Sequence, residues 1–106
     1  MRRRGRVDEN HKAVVAALRA AGYSVLSLAD VGRGCPDILA AKGGRNHLVE
    51  AKRAHLKDHA PGGHERETLA RQAEWASKWN APVHRVHSPE EAIAKLAGAV
   101  AKLEAA

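Results

Sequence analysis

A chain of 106 residues has room for one domain, residues 1–106, and so for one principal site, at the usual scale of roughly 100–200 residues per domain. Hydrophobic residues make up 44% of it, with no Phe, one Tyr and two Trp, which excludes a disordered chain and predicts a core of Val, Leu, Ile and Ala. Eighteen Lys and Arg against twelve Asp and Glu leave a formal charge of +6, which favours polyanionic partners, nucleic acid first among them.

In chain order, Arg2, Arg3, Arg4 and Arg6 form a flexible basic start over residues 1–6. Val7 is followed by Asp8, Glu9 and Asn10 instead of an apolar stretch, which argues against a secretion signal. Val7, His11, Val14 and Leu18 then fall on one helical stripe, with Val15 beside it, and Gly22 closes the helix. Tyr23 to Leu28 reads as a strand, and the turn-rich Gly32-Arg33-Gly34-Cys35-Pro36 cannot be regular structure. Cys35 is the single cysteine, so the chain forms no internal disulfide and a reducing, cytoplasmic setting is expected.

Asp37–Ala41 and Asn46–Lys52 read as antiparallel strands around Gly43-Gly44, a strong two-residue hairpin signal. From Arg53 to Glu67 the chain turns polar around Pro61-Gly62-Gly63 and is expected to be a long, exposed, mobile basic loop, centred on residues 53–66. Leu69, Gln72, Ala76 and Trp79 return to helical spacing as an inward stripe, ending near Asn80 and Pro82. With no Phe available, Trp75 and Trp79 are expected in packing more than as base-stacking platforms. Val83–His87 reads as a short strand. Ser88-Pro89-Glu90-Glu91 is a helix start with a Ser cap, Pro at the first helical position and Glu at the third. Ile93, Leu96, Val100 and Leu103 form the inward stripe of the last helix. The order is αβββαβα, and no run approaches the ~20 apolar residues of a membrane span.

The hairpin carries the chemistry. A two-residue turn at Gly43-Gly44 pairs residues whose numbers sum to 87, which sets Asp37 opposite Glu50. Opposed residues of an antiparallel pair share a sheet face with Cβ atoms ~4.5–5.5 Å apart. Like charges at ~5 Å repel by roughly 3 kcal/mol at an effective dielectric near 20, which a divalent cation between them would relieve. Period two puts Leu48, Glu50 and Lys52 on one face, so an ammonium stands beside the carboxylate pair and could orient a water. Hard oxygen donors suit Mg²⁺ or Mn²⁺ and metal-assisted phosphodiester hydrolysis. The structural alternative is a surface Glu50–Lys52 ion pair with Asp37 as a turn residue. His55, His59 and His64 with Cys35 fit no standard zinc-ligand spacing.

Gly34-Cys35-Pro36-Asp37, twelve residues, and Glu50-Ala51-Lys52 resemble the Pro-Asp…(Asp/Glu)-x-Lys motif of the PD-(D/E)XK nucleases. The likeness covers about Asp8 to Leu96 and is strongest to small standalone VRR-NUC-type and Holliday-junction-resolvase-like nucleases of phages and prophages. The resemblance implies an α/β, restriction-endonuclease-like αβββαβ core, with a mixed central sheet flanked by helices and a C-terminal helix added. It implies that Asp37, Glu50 and the carbonyl of Ala51 bind Mg²⁺ or Mn²⁺ and that Lys52 positions the attacking water. Gln72 matches the glutamine those sequences carry on the helix after the last motif strand; the alternative is a Gln bonded to backbone beneath the sheet. Asn10 and His11 are the auxiliary candidates on the first helix, since Glu9 lies opposite the apolar stripe and Asp8 and Glu9 suit the helix start.

Arg2, Arg3, Arg4, Arg6, Arg33, Arg53, Lys57 and Arg66 are candidate DNA contacts; the alternative is a solvated cationic surface. The resemblance further implies a homodimeric endonuclease acting on branched or duplex DNA in a bacterial host cell, with no membrane partner and no small-molecule cofactor. Two other readings are a non-catalytic nucleic-acid-binding module of the same fold and an RNA-directed nuclease.

Overall fold

The computed structural model describes residues 9–52 and 63–105. The basic start with Arg2, Arg3, Arg4, Arg6, Val7 and Asp8 lies outside the described residues, as do Arg53, His55, Lys57 and His59 and the side chains of His64 and Leu103. The elements are α1 (Glu9–Ala20), β1 (Ser24–Ser27), β2 (Ile38–Lys42), β3 (Arg45–Ala51), α2 (Gly63–Ser77), β4 (Val83–Val86) and α3 (Pro89–Ala105). The chain is therefore α/β, with a sheet in the order β1-β2-β3-β4. β1, β2 and β3 run antiparallel and β4 joins β3 in parallel. The sheet is mixed, and α2 serves as the crossover that a parallel pair requires.

Register in the β2–β3 hairpin follows the turn. Ile38 faces Val49 and Lys42 faces Arg45, while Gly43 and Gly44 take the positive φ values, 62° and 80°, that a type I′ turn demands. α1 ends in a Schellman cap: Gly22, at φ 97°, donates to the Arg19 carbonyl, and Tyr23 donates to that of Leu18. α3 begins as its sequence predicts, with the Ser88 hydroxyl accepting from the Glu91 amide at 3.0 Å. Glu91 turns back to accept from the amide of His87 at 2.7 Å, one residue before the usual partner of a capping box.

The core is aliphatic. Val14 and Leu18 of α1, Ile38 and Ala40 of β2, Val49 of β3, Val86 of β4 and Ala92 and Leu96 of α3 are fully buried together, and α1 packs against α3 over this face of the sheet. Successive side chains alternate across a strand, so Leu48 and Glu50 point to the opposite face, where α2 lies through its Gln72 contact with Glu50.

Three expectations are corrected. Residues 63–67 belong to α2 and not to the long loop; polar helix formers such as Arg66 and Glu67 extend a helix without adding to its apolar stripe. Trp79 does not face inward but is 48% exposed, and neither Trp is in the core, because α2 packs only lightly on the sheet. Two strands are also shorter than predicted: Tyr23 and Leu28 flank β1, and His87 follows β4.

Candidate active site

The candidate residues meet at one end of the sheet. Asp37 immediately precedes β2, Glu50 and Ala51 close β3, and Lys52 follows it. Lys52 keeps the strand's course by donating its amide to the Val86 carbonyl of β4 at 2.8 Å. Glu50 and Lys52 are 8% and 9% exposed, far more buried than a surface ion pair. Glu50 and Lys52 are thus not an exposed ion pair, whereas Asp37 does lie in the bend that precedes β2.

Gln72 joins these two side chains. Its Nε2 donates to Glu50 Oε2 at 2.9 Å, and its Oε1 accepts from Lys52 Nζ at 2.8 Å. A primary amide is well suited to this position, since it offers a donor to the acid and an acceptor to the ammonium from one planar group. Among the described residues Gln72 is therefore bonded to motif side chains.

Asp37 is held differently. Its Oδ1 accepts from the Ala51 amide at 3.0 Å and its Oδ2 lies 2.9 Å from His11 Nδ1. A carboxylate only accepts, so the shared proton sits on Nδ1. The carboxylate is thus turned across the sheet end toward α1, while Glu50 is turned toward α2, a division that pairing alone does not specify. Asn10 Nδ2 donates to the carbonyls of Lys52 and, at 3.1 Å, of His87, tying α1 to the exits of β3 and β4. Of the first-helix residues, His11 touches the site and Asn10 braces it, whereas Glu9 is exposed.

The electrostatics follow from this burial. Removal from water, and then the charge of Asp37, push the Glu50 carboxyl up to about 8, against the pull of Lys52, Arg85 and the Gln72 amide. Burial, then Glu50 and Asp37, raise the Cys35 thiol as well, which keeps it protonated and poorly nucleophilic. The charge of Asp37 thus disfavours ionisation of Glu50. Among the described residues no group of three or more His, Cys, Asp and Glu gathers as a metal cluster.

Sequence reasoning missed Arg85, which pairs directly with Glu50 across β3 and β4. With Gly34, Pro36 and Gln72 these two residues line a small cavity of about 200 Å³. No local signal pointed to Arg85, because the register of a parallel pair is set through its crossover and not by a turn. In the sequence Gly34 reads only as part of a turn, but a Cβ there would collide with the Arg71 carbonyl of α2, so this glycine lets the motif loop lie against the helix that carries Gln72. Of the proposed DNA contacts among the described residues, Arg33 and Arg66 are both exposed. Compared with known families and with curated proteins, the chain matches no family model and no curated sequence.

Proposed function

We propose that the protein is a Mg²⁺- or Mn²⁺-dependent endonuclease that hydrolyses DNA phosphodiester bonds, with a restriction-endonuclease-like core of the PD-(D/E)XK kind. The observation that carries this reading is the buried Glu50 carboxyl, raised to about 8 beside Asp37 and linked through Gln72 to the buried Lys52 ammonium. A buried carboxyl whose ionisation is disfavoured by a neighbouring carboxylate is stabilised in its charged form when a cation joins the two, and hard oxygen donors select Mg²⁺ or Mn²⁺. Asp37, Glu50 and the carbonyl of Ala51 would hold the ion. A divalent ion at such a site supplies Lewis-acid polarisation of a phosphoryl oxygen and a more acidic water.

The chain's own residues do the positioning. Gln72 sets the distance between the Glu50 carboxylate and the Lys52 ammonium, so that Lys52 can orient a water and stabilise negative charge developing on the phosphate. His11 fixes one oxygen of Asp37, and the Ala51 amide fixes the other. Arg85, next to Glu50, supplies a cation for the phosphate that enters the small cavity. The net charge of +6 favours a polyanionic substrate and steep weakening of binding with salt. Branched DNA, action as a homodimer and a cytoplasmic, phage or prophage setting belong to this proposal through the motif resemblance.

A second reading, the non-catalytic binding module, is favoured by one observation: each carboxylate already has hydrogen-bond partners within the chain. The deciding experiment incubates the protein and its Lys52→Ala and Asp37→Asn variants with labelled four-way junction, flap and linear duplex, in Mg²⁺, Mn²⁺ or EDTA. Metal-dependent cuts that vanish in both variants are expected. Binding that is the same in EDTA, with no cutting in any metal, would establish the module instead. Matched RNA substrates separate the two nucleic acids.

A further inference from the structure

A second constellation lies where the end of α2 and the residues just after it meet the motif loop, beginning one residue from Gln72. Arg33, Arg71, Glu74, Trp75, Lys78 and Trp79 line a groove of about 530 Å³. Trp75 and Trp79 are stacked on each other, with ring centroids 4.8 Å apart and planes 23° apart, and Trp79 is 48% exposed. Three cations face a single carboxylate there, and Glu74 is engaged with Lys78 at 3.3 Å. A large aromatic left in water, backed by a second ring and flanked by guanidinium groups, is costly packing but a ready surface for a flat heterocycle joined to phosphate.

The backbone supports the same conclusion. Arg33 is the only non-glycine residue with positive φ among the described residues, at 57°, a conformation that costs energy and that clusters at ligand-binding positions. It is set by the turn that the Cys35 amide closes onto the Gly32 carbonyl at 3.1 Å, in which Gly34 follows with φ 85° and leaves no room for a Cβ against the Arg71 carbonyl. Arg33, on this turn, and Arg71, on α2, line the same groove beside the indole pair. Gly34 also lines the small cavity with Glu50, Gln72 and Arg85. The groove and the candidate active site are therefore the two sides of one junction between the motif loop and α2. Arg33 is four residues from Asp37, a chain separation of at most about 14 Å.

We propose that this groove binds unpaired nucleotides: a base stacks on Trp79, and its flanking phosphates are held by Arg33 and Arg71, with Lys78 at the rim. Paired duplex cannot use the site, because its bases are already stacked, whereas a single-stranded tail or an opened strand can. The inference deepens the nuclease reading, on which its link to substrate choice rests. It makes a single-stranded segment leading away from the scissile phosphate part of the substrate. The binding itself stands or falls independently of catalysis.

Trp75 and Trp79 are the only tryptophans in the chain, so intrinsic fluorescence reads the groove directly. The protein in EDTA is titrated with oligodeoxythymidylate, oligouridylate, an abasic deoxyoligonucleotide of equal length and blunt duplex. Strong quenching by one or both base-containing single strands, with the tighter of the two identifying DNA or RNA, is the expected result. The abasic strand should bind at least about fivefold more weakly, from the roughly 1–3 kcal/mol that stacking contributes per base, and without quenching. Trp79→Leu should lower single-strand affinity by at least about fivefold. Arg33→Gly, which removes the charge while relieving the positive φ, should also lower it and flatten its salt dependence. Equal affinity for the abasic and base-containing strands, without quenching, overturns the proposal even if duplex is cut in Mg²⁺. Quenching without cutting in any metal keeps the groove and removes the nuclease reading.

Discussion

Gln72 donates to Glu50 at 2.9 Å with the same amide that accepts from Lys52 at 2.8 Å, so the acid and the ammonium of the motif are spaced by a residue on another element. Gln72→Ala leaves a buried carboxyl and a buried ammonium each short of a partner. Hydrogen bonds to charged groups are worth roughly 1.5–3 kcal/mol, so cleavage should fall roughly 10- to 100-fold. The loss should appear mainly in kcat, since the Gln72 amide is already engaged with Glu50 and Lys52 and acts by spacing them. Gln72→Glu should be worse, because a third carboxylate raises Glu50 further. Single-turnover cleavage of one defined substrate checks both.

Glu50 predicts an unusual pH dependence. Its carboxyl stands at about 8 in the fold against 4.5 for the ordinary group, so the folded state binds more protons than the unfolded chain between those values. The contribution of Glu50 to stability is then fully present below about pH 4.5, is lost as pH rises, and is gone above about 8. Glu50→Gln should flatten the fall in thermal midpoint over that window. At pH 7 Glu50 is mostly protonated in the ion-free protein, so adding Mg²⁺ should release close to one proton. Calorimetry in two buffers of different ionisation enthalpy measures that release, which Glu50→Gln should abolish.

The hairpin that carries Asp37 and Glu50 was legible in the chain because Gly43-Gly44 fixes a turn, the turn fixes the sum rule, and period two assigns the faces. The α3 start was legible for the same reason: Ser88, Pro89 and Glu91 act on their immediate neighbours. Arg85 and the outward set of Trp79 were not. Both depend on how α2 crosses the sheet, which is decided by a few contacts between residues distant in sequence. Nor could pairing reveal that Asp37 is aimed at His11 and the Ala51 amide, since register gives the position of a residue and not the rotamer of its side chain.

Gly34 is the hinge on which site and groove both depend. It sits at φ 85° where an added Cβ would overlap the Arg71 carbonyl oxygen, so Gly34→Ala incurs a left-handed backbone penalty and a backbone collision. Gly32, in the same loop at φ 72° with open space around it, isolates the first effect. Gly32→Ala should cost about 1 kcal/mol, and Gly34→Ala about 3 kcal/mol or more. Only the latter should also impair cleavage, by moving α2 and Gln72 away from Glu50. Chemical denaturation gives the two stabilities, and equal losses would show that the contact with α2 is dispensable.

His11 tests whether the first helix positions the site or takes part in its chemistry. Its ring is almost fully buried and lies 2.9 Å from Asp37, so His11→Ala leaves one carboxylate oxygen short of a donor, at a cost of roughly 1–3 kcal/mol. His11→Asn restores an N–H near the Nδ1 position. A positioning role predicts that the Asn variant recovers most of the stability and most of the cleavage, with an unchanged pH profile, while the Ala variant loses roughly tenfold in kcat. Full stability in the Asn variant without cleavage would mean that the second ring nitrogen, and not the bond to Asp37, is what the reaction needs.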